Sequence, residues 1–506
     1  TYLILMIFFP VYMMITGSAP SVVRASFMAI LVALSLRLRW KINPIDGISL
    51  TCLLILIYNP YYAFHIGFQL SFLIAFSLIV SSVSIIQRYQ TSMTQLLAVS
   101  ILAQVVSFST VIYHFHQISF LSLPVNLIYI PTISVIVLPL LLFLSFLQAI
   151  HFTFCFKLLA IPLSEFVHLF HELLLYLADF NHILIFGKLH WVLFLASIGL
   201  CLTVLVIWEQ GNPFKGMLIW LAFCAFLYLL PYLNPYGEVT FIDVGQGDCI
   251  LIRLPFQKKI ILIDSGGRPV FGEREVWQER DAAFDVGTDI VVPYLKSRGI
   301  RSIDVLILTH GDYDHAGGAS GILAEMKVKQ LMLDRSLVQT ELESRLIRIA
   351  VGKGTKVINA RAGQSWGGDH YFFTILQALE VEEENDGSII LYAHIGGYKW
   401  LLTGDLEEAG ERELLGNKVV PRIDVLKAGH HGSASSSSQV FLEKLNPSIS
   451  IISAGVGNRY GHPNPEVVKR YEDLGIKMIR TDLNGTITYR YLWHQTGKWH
   501  VMLNGK

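Results

Sequence analysis

"THGDYDHAGG", residues 309–318, places His310, Asp312, Asp314 and His315 within six positions, directly after the apolar run "DVLIL". Imidazole nitrogens and carboxylate oxygens at such spacing suit Zn, Mn or Fe, and the absence of cysteine among them argues against a structural zinc site. A strand that ends in a tight glycine-bearing loop lets residues at i, i+2, i+4 and i+5 converge on one place. The stretch therefore predicts an α/β domain with a metal site at the C-terminal edge of a sheet.

Other segments share that rhythm. "EVTFIDVG", "CILIRL", "KIILIDSG", "DVLILTHG", "SIILYAHI", "YKWLLTGD", "DVLKAGHHG" and "SISIISAG" read as strands, with helical stretches between them at 319–327 and 464–474. Their ends bring up Asp264, then the 310–315 cluster, then Asp405, then His430 and His431. Asp405 after "LLTG" is placed to bridge two ions, a pair that clamps the oxygens of an in-line phosphoryl displacement when about 3.5–4 Å apart. Farther on, "GNRYGHPNPE" (457–466) offers Arg459 for phosphate oxygens, Tyr460 for stacking and His462 for protonation. The bland alternative there is a turn held by Pro463 and Pro465. "HHGSASSSS", with Ser433, fits either a low-complexity linker or a substrate-side loop.

The rest of the chain differs in kind. Residues 1–235 carry only 8 of the 39 Lys+Arg and 5 of the 39 Asp+Glu. Apolar runs at 94–113, 118–147, 190–208 and 217–234 approach or exceed the about 18–20 residues that a spanning helix needs. A membrane α-helical bundle (1–235) followed by an α/β domain (236–506) is the expected organisation. The start at Thr1-Tyr2, inside an apolar run with no basic stretch before it, is expected of a piece of a longer protein rather than of a signal peptide. Four of the five cysteines lie in or beside apolar runs, so cysteine usage is silent on the redox compartment. A net charge of zero gives no general basic surface for nucleic acid.

Basic loops orient the bundle. Arg37, Arg39, Lys41 and Arg88 are expected in the cytoplasm; five crossings after Arg88, one of them at 155–177, put Lys215 inside and residues 236–506 outside. Pro124 and Pro131 make 118–147 a candidate broken or re-entrant segment. Glu165, His168, His171 and Glu172 share a helix face that lines a polar path or lies at the interface. Polar residues at membrane depth are costly and so are function candidates. They are Arg24, His65, Gln69, Gln104, His114, His116 and Asn126, with Arg24, Gln69 and Asn126 the pore candidates.

"LIDSG" (262–266), "THGDYDH", "LTGD" (402–405) and "AGHHG" (428–432) resemble the metallo-β-lactamase superfamily. That resemblance implies an αβ/βα sandwich over about 238–500. It also implies that His310 and Asp312 serve one metal and Asp314 and His315 the other, with Asp405 bridging, His431 completing the second position and Asp264 supporting the ligands from behind. His430 is then left to contact substrate or act as an acid, which makes Asp314, His430 and His462 the catalytic candidates. Two departures stand out. Asp312 replaces the usual second histidine, and the stretch before the strand preceding Asp405 offers Glu384, Asn385 and Asp386 where the family tends to carry a histidine. An oxygen-rich site of this sort should favour Mn²⁺, or hold its first metal weakly.

"FIDVGQGDCILI", "NDGSIIL", "LLTGDLE", "DVLKAGHHGS", "NRYGHPNPEVV", and in the apolar half "ITGSAPSVVRASFM" (15–28) and "NPYYAFHIGFQLSF" (59–72), are similar to the ComEC competence proteins. The resemblance implies a multi-pass channel of the cell (inner) membrane passing single-stranded DNA inward, with an extracytoplasmic nuclease domain using two Mn²⁺ or Zn²⁺ ions on the other strand. Implied partners are DNA, membrane lipid, a DNA receptor, a separate ATP-driven motor (no "GxxxxGK[ST]" is present) and a homodimer mate. Two other readings compete: a membrane-anchored phosphodiesterase acting on cell-wall polymers, and a DNA channel whose lactamase-like domain binds DNA without cutting it.

Overall fold

The computed structural model describes residues 2–178, 183–268, 284–333, 340–368, 370–377, 385, 387–417, 420–493 and 495–503. The chain divides into two compact units, Thr1–Tyr228 and Leu229–Lys506.

The first unit is helical: α1 (Tyr2–Ile15), α2 (Pro20–Leu38), α3 (Pro44–Tyr58), α4 (Ile66–Ser84), α5 (Ser92–Phe115), α6 (Ser122–Pro131), α7 (Leu138–Ala149), α8 (Thr153–Ala178), α9 (Trp191–Glu209) and α10 (Pro213–Leu229), with a small antiparallel pair β1 (Gln117–Ser119) and β2 (Ile183–Ile185). Seven helical stretches among the described residues are long and apolar enough to cross a membrane, and the five expected after Arg88 are all among them. In α5 half of the most apolar window is buried, against 6% in α8, so α5 is the central helix and α8 a peripheral one. Around α5, Leu102 and Val106 pack with Trp208, Val105 with Cys201 and Val204, and Phe108 and Ile112 with Phe186 and Leu227. Thr91 and Thr94 cap its start reciprocally.

The expected break at 118–147 takes a milder form. Residues 122–149 form one run in which Pro131, lacking an N–H, is followed by a π-helical stretch, Thr132–Val137. Glu165, His168, His171 and Glu172 all lie exposed on α8.

The second unit holds two mixed sheets. One orders β17-β16-β3-β4-β5-β6-β7-β8, the other β15-β14-β13-β12-β11-β10-β9. Their ranges are β3 Tyr236–Phe241, β4 Ile250–Arg253, β5 Ile260–Ile263, β6 Ser302–Ile307, β7 Lys327–Leu333, β8 Lys356–Asn359, β9 Ser365–Gly368, β10 Tyr371–Gln377, β11 Ile390–Ile395, β12 Tyr398–Leu402, β13 Val425–Lys427, β14 Ile449–Ile452, β15 Lys477–Arg480, β16 Ile487–Leu492 and β17 Lys498–Val501. All eight stretches read as strands from the sequence are strands.

Strand period two sorts the side chains. Ile261 and Ile263 of β5 enter the core between the sheets, facing Trp400, Leu402 and Phe373 of the opposite sheet. Leu262 turns the other way, toward Ile322, Leu323 and Leu346 of the helices Ala319–Glu325 and Glu341–Gly352. Leu401 and Leu426 likewise meet Phe441, Leu442 and Tyr471 of the helices Gln439–Leu445 and Pro465–Asp473. The layers are helix, sheet, sheet, helix: an αβ/βα sandwich. β5, β6 and β7 run parallel in one sheet, and β12, β13 and β14 in the other. Their C-terminal ends deliver the polar loops.

Candidate metal centre

Four buried residues, Asp248, His315, Asp405 and His431, each offer a ligand atom within 4.8 Å of the others. Ring orientation separates them. His315 Nε2 lies 3.3 Å from His431 Nε2 and 3.2 Å from Asp405 Oδ1; His431 Nε2 lies 3.3 Å from both Asp405 Oδ2 and Asp314 Oδ2. Spacings near 3.3 Å suit four donors around one ion with bonds of about 2.0–2.2 Å. Asp248 instead sits on the far side of both rings, 3.9 Å from His315 Nδ1 and 3.8 Å from His431 Nδ1. Asp314 Oδ2, by contrast, comes up on the Nε2 side of His431.

The outer nitrogens are tied down. His315 Nδ1 meets Asp264 Oδ2 at 3.0 Å, and His431 Nδ1 donates to the Ser453 carbonyl at 3.0 Å. Asp264 also accepts from the Thr309 N–H and hydroxyl, both at 2.8 Å. Such partners fix the tautomer and turn Nε2 toward the ion.

Two groups were missed in the sequence. Lys427, fully buried in β13, bonds to Asp248, donates to the Gly404 carbonyl at 2.8 Å and reaches Asp405 Oδ1 at 3.5 Å. Its signal was a lysine inside the apolar strand "DVLKAG". Asp248 follows the glycine loop "VGQG" between β3 and β4, and Gly247 (φ +112°) lies against the Asp314 carbonyl, where any side chain would collide.

Electrostatics follow from four carboxylates in little water. Burial would raise the Asp314 carboxyl, but the hydrogen bond from His431 and the charge on His315 outweigh it and bring it to about 2. Burial likewise opposes charge on Asp405, yet His315, His431 and Lys427 hold it well below the usual carboxylate range. The same pairings, chiefly to Asp405, lift His315 and His431 above the ordinary histidine value despite their burial. Protons on these rings stand where a cation would.

The remaining expected residues divide. His310 is buried next to Thr309 and Ser388, with Asp312 Oδ2 3.6 Å from its Nε2. His430 holds Glu407 Oε1 at 2.7 Å through Nδ1, and its Nε2 lies 3.8 Å from Asp405 Oδ2. His462 packs its ring 5.7 Å from that of His430, and Tyr460 stacks on His462 at 5.8 Å, so a line of rings leads outward from the cluster. Burial, then repulsion from His430 and His431, lowers the His462 value. Arg459 is exposed beside them. Ser433 bonds to Ser435 at 3.0 Å within an ordered turn whose Ser436 and Ser437 are buried, which is not a linker's behaviour. Glu384 and Asp386 lie outside the described residues. Asn385 bonds to Glu407, and the residue that comes up against His310 is Ser388.

In the helical unit, Arg24 Nε donates to Ser71 Oγ at 2.6 Å, and Gln69 Oε1 meets His114 Nε2 at 2.9 Å. Gln104 accepts from Ser122, His65 caps α4, and His116 caps the end of α5. Asn126 is half-buried on α6. Gln104, Ser107, Gln117, Ser119 and Ser122 line a cavity of about 350 Å³ with Phe115.

Comparison with known proteins matches residues 1–210 to the competence protein family and residues 242–456 to the metallo-beta-lactamase superfamily. The chain is 37% identical over 504 residues to ComE operon protein 3 of Bacillus subtilis, covering 97% of this chain and 63% of that protein. It is 31% identical over 303 residues to competence protein ComA of Neisseria gonorrhoeae, covering 58% of this chain and 38% of that one. The chain thus spans less than two thirds of the length of each. The metallo-beta-lactamase fold protein YhfI from Bacillus subtilis is similar at 9% identity and a TM-score of 0.33, over 48% of this chain and 95% of that one. Seven apolar helices together with the competence match identify an integral membrane protein.

Proposed function

We propose, from the match of residues 1–210 to the competence protein family and of residues 242–456 to the metallo-β-lactamase superfamily, a protein of DNA uptake. Its helical unit carries single-stranded DNA across the cell membrane, and its sandwich unit hydrolyses phosphodiester bonds of the strand left behind. The observation that carries the hydrolytic part is the convergence of His315 Nε2, His431 Nε2, Asp405 and Asp314, whose spacings of 3.2–3.3 Å and outward-tied Nδ1 atoms fit a divalent ion such as Mn²⁺ or Zn²⁺. An ion held there supplies Lewis-acid charge for phosphoryl oxygens and lowers the pKa of water.

The chain's own groups do the rest. Asp264 and the Ser453 carbonyl keep both imidazoles aimed, and Lys427 holds Asp405 from behind. Arg459, Tyr460 and His462 flank the open side, where a guanidinium suits phosphate and a ring suits a base. Five crossings after the basic loop at Arg88 support an extracytoplasmic position for residues 236–506, in which one strand is cut before its complement enters.

The test is full-length protein in nanodiscs with Mn²⁺ or Zn²⁺ and end-labelled single- or double-stranded DNA. Metal-dependent cleavage lost in Asp405→Ala is expected. DNA bound but uncut would favour a binding module, and cleavage of cell-wall phosphodiesters alone an envelope enzyme. A reporter fused to the C-terminus that is active only in the cytoplasm would overturn the topology.

A further inference from the structure

We infer that the edge of the sandwich unit opposite the metal centre is a lipid-binding surface, resting on the headgroups of the membrane and drawn to anionic ones. The surface owes nothing to the chemistry of the metal centre. It starts from the last apolar span, Pro213–Leu233, whose final turn, Leu230–Leu233, packs on the turn between β4 and β5. Backbone bonds make the link a close one. The Phe256 N–H in that turn donates to the Asn234 carbonyl at 2.8 Å, and Asn234 Oδ1 accepts from the Tyr236 N–H at 3.1 Å. Where the span leaves the hydrocarbon, the edge formed by the start of β3 and the β4–β5 turn is therefore at headgroup level.

The side chains on this edge suit that layer. Tyr232, Tyr236 and Trp493 are exposed, and each ring carries a cation: Arg301 4.8 Å from the Tyr232 ring, Arg490 3.9 Å from Tyr236 and Lys258 5.6 Å from Trp493. Amphipathic rings and long basic chains are what a membrane–water interface collects. The charge is one-sided as well. Buried Glu238 is approached by three guanidiniums, Arg253 at 3.0 Å, Arg298 at 3.3 Å and Arg490 at 3.8 Å, while Asp304 nearby is taken up by Lys329 at 2.6 Å. One carboxylate does not neutralise three cations, and the excess reaches the surface at exposed Arg490, beside exposed Lys258. Anionic lipid phosphates supply the missing charge.

The turn itself is unusual. Phe256 (φ +58°) and Gln257 (φ +52°) are consecutive residues in the left-handed region, where turns ordinarily use Asn or Gly. A bulky apolar ring is thus kept at a strained position beside the end of a membrane span, with Trp493 packed on it at 6.0 Å. The arrangement also sets the direction of the metal centre. β3 and β5 both start at this edge, and the loops that carry Asp248 and Asp264 follow their far ends. The six residues of β3, at about 3.3 Å each, separate the two edges by about 20 Å. With the aromatic and basic edge on the membrane, the metal centre opens toward water.

The experiment is amide hydrogen exchange on the full-length protein in nanodiscs of phosphatidylcholine, alone or mixed with phosphatidylglycerol. Residues 254–260 are expected to exchange several-fold more slowly with the anionic lipid present, and added salt should reverse the effect. Residues 309–318, at the other edge, should exchange alike in both discs. Lys258→Glu, a change at an exposed side chain, should remove most of the protection, and Arg490→Gln should reduce it. Equal exchange of 254–260 in the two lipids would overturn the inference. Protection of the same residues by single-stranded DNA in phosphatidylcholine discs, with none from phosphatidylglycerol, would overturn it too and assign the surface to nucleic acid. Slowing of 309–318 by the anionic lipid would put the metal edge on the bilayer and overturn the orientation.

Discussion

The helical unit scatters its polar groups, and the sandwich unit gathers them. In the former, Arg24 meets Ser71, Gln69 meets His114 and Gln104 meets Ser122, each pair one or two hydrogen bonds deep within apolar helices. In the latter, Asp248, Asp264, Asp314, Asp405, Lys427, His315 and His431 share one small buried volume. One rule produces both patterns, since a polar group taken from water must find partners. Isolated groups in helices settle for a neighbouring side chain. Loops converging from the ends of β5, β6, β12 and β13, together with the β3–β4 loop, can assemble a network dense enough to hold an ion.

The contrast is broken most severely at Asp405. Asp405→Ala should remove the ion and reduce hydrolysis by more than the roughly 100-fold that loss of an orienting partner costs, with the helical unit's thermal transition unmoved. Elemental analysis and cleavage kinetics measure this, and an ion retained in the variant would mean the network is structural.

Next comes Lys427. Lys427→Met leaves Asp248 and Asp405 buried without their cation, for which a loss of about 3–5 kcal/mol in the sandwich unit is expected. Denaturant melts of the metal-free variant would show it. A loss under about 1 kcal/mol would put solvent or a rearranged carboxylate beside Asp248.

The third prediction sharpens the other side of the comparison. Arg24→Ala should lower DNA uptake several-fold at equal protein level and leave cleavage unchanged, because it removes one charge-assisted hydrogen bond worth about 1.5–3 kcal/mol. If Arg24→Lys restored uptake fully, the residue would be a helix-pairing group and not a phosphate contact. Normal uptake in Arg24→Ala would remove it from the transport path.

The smallest effect concerns pH. His315 and His431, raised by their carboxylates, stabilise the metal-free unit fully below about pH 6.5 and lose that contribution as pH rises through their folded values. Asp405 and Asp314, both depressed, contribute above about pH 4 and lose it as pH falls, for Asp314 toward about 2. Metal-free stability should therefore peak between about pH 4 and 6.5. Added Mn²⁺ should move the optimum upward, because the ion competes with the imidazole protons. A pH-independent melting temperature would contradict the ion-pair network.

How far the sequence reached depended on how local each signal was. The strands were legible because the short apolar runs of β5, β6 and β12 are a property of neighbouring residues, and His310, Asp314, His315, Asp405 and His431 because each follows such a run. Asp248 was not, since it enters from a glycine loop between antiparallel strands, and neither was Lys427, hidden in an apolar run. Glu407 is two residues past a ligand but acts on a histidine 23 positions away. His430 and His431 were indistinguishable as letters.

The sequence by itself determined which segments are long and apolar enough to leave water, which strands pack on both faces, and which nitrogen and oxygen donors are available. Those follow from composition and period along the chain. Tertiary structure alone decided that Nε2 of His315 meets that of His431, 116 residues away, that Asp314 reaches the Nε2 side of His431 while Asp248 lies toward both Nδ1 atoms, and that a lysine lies behind. Two sheets had to pack face to face before their loops shared an edge, and ring orientation depends on partners that only that packing supplies.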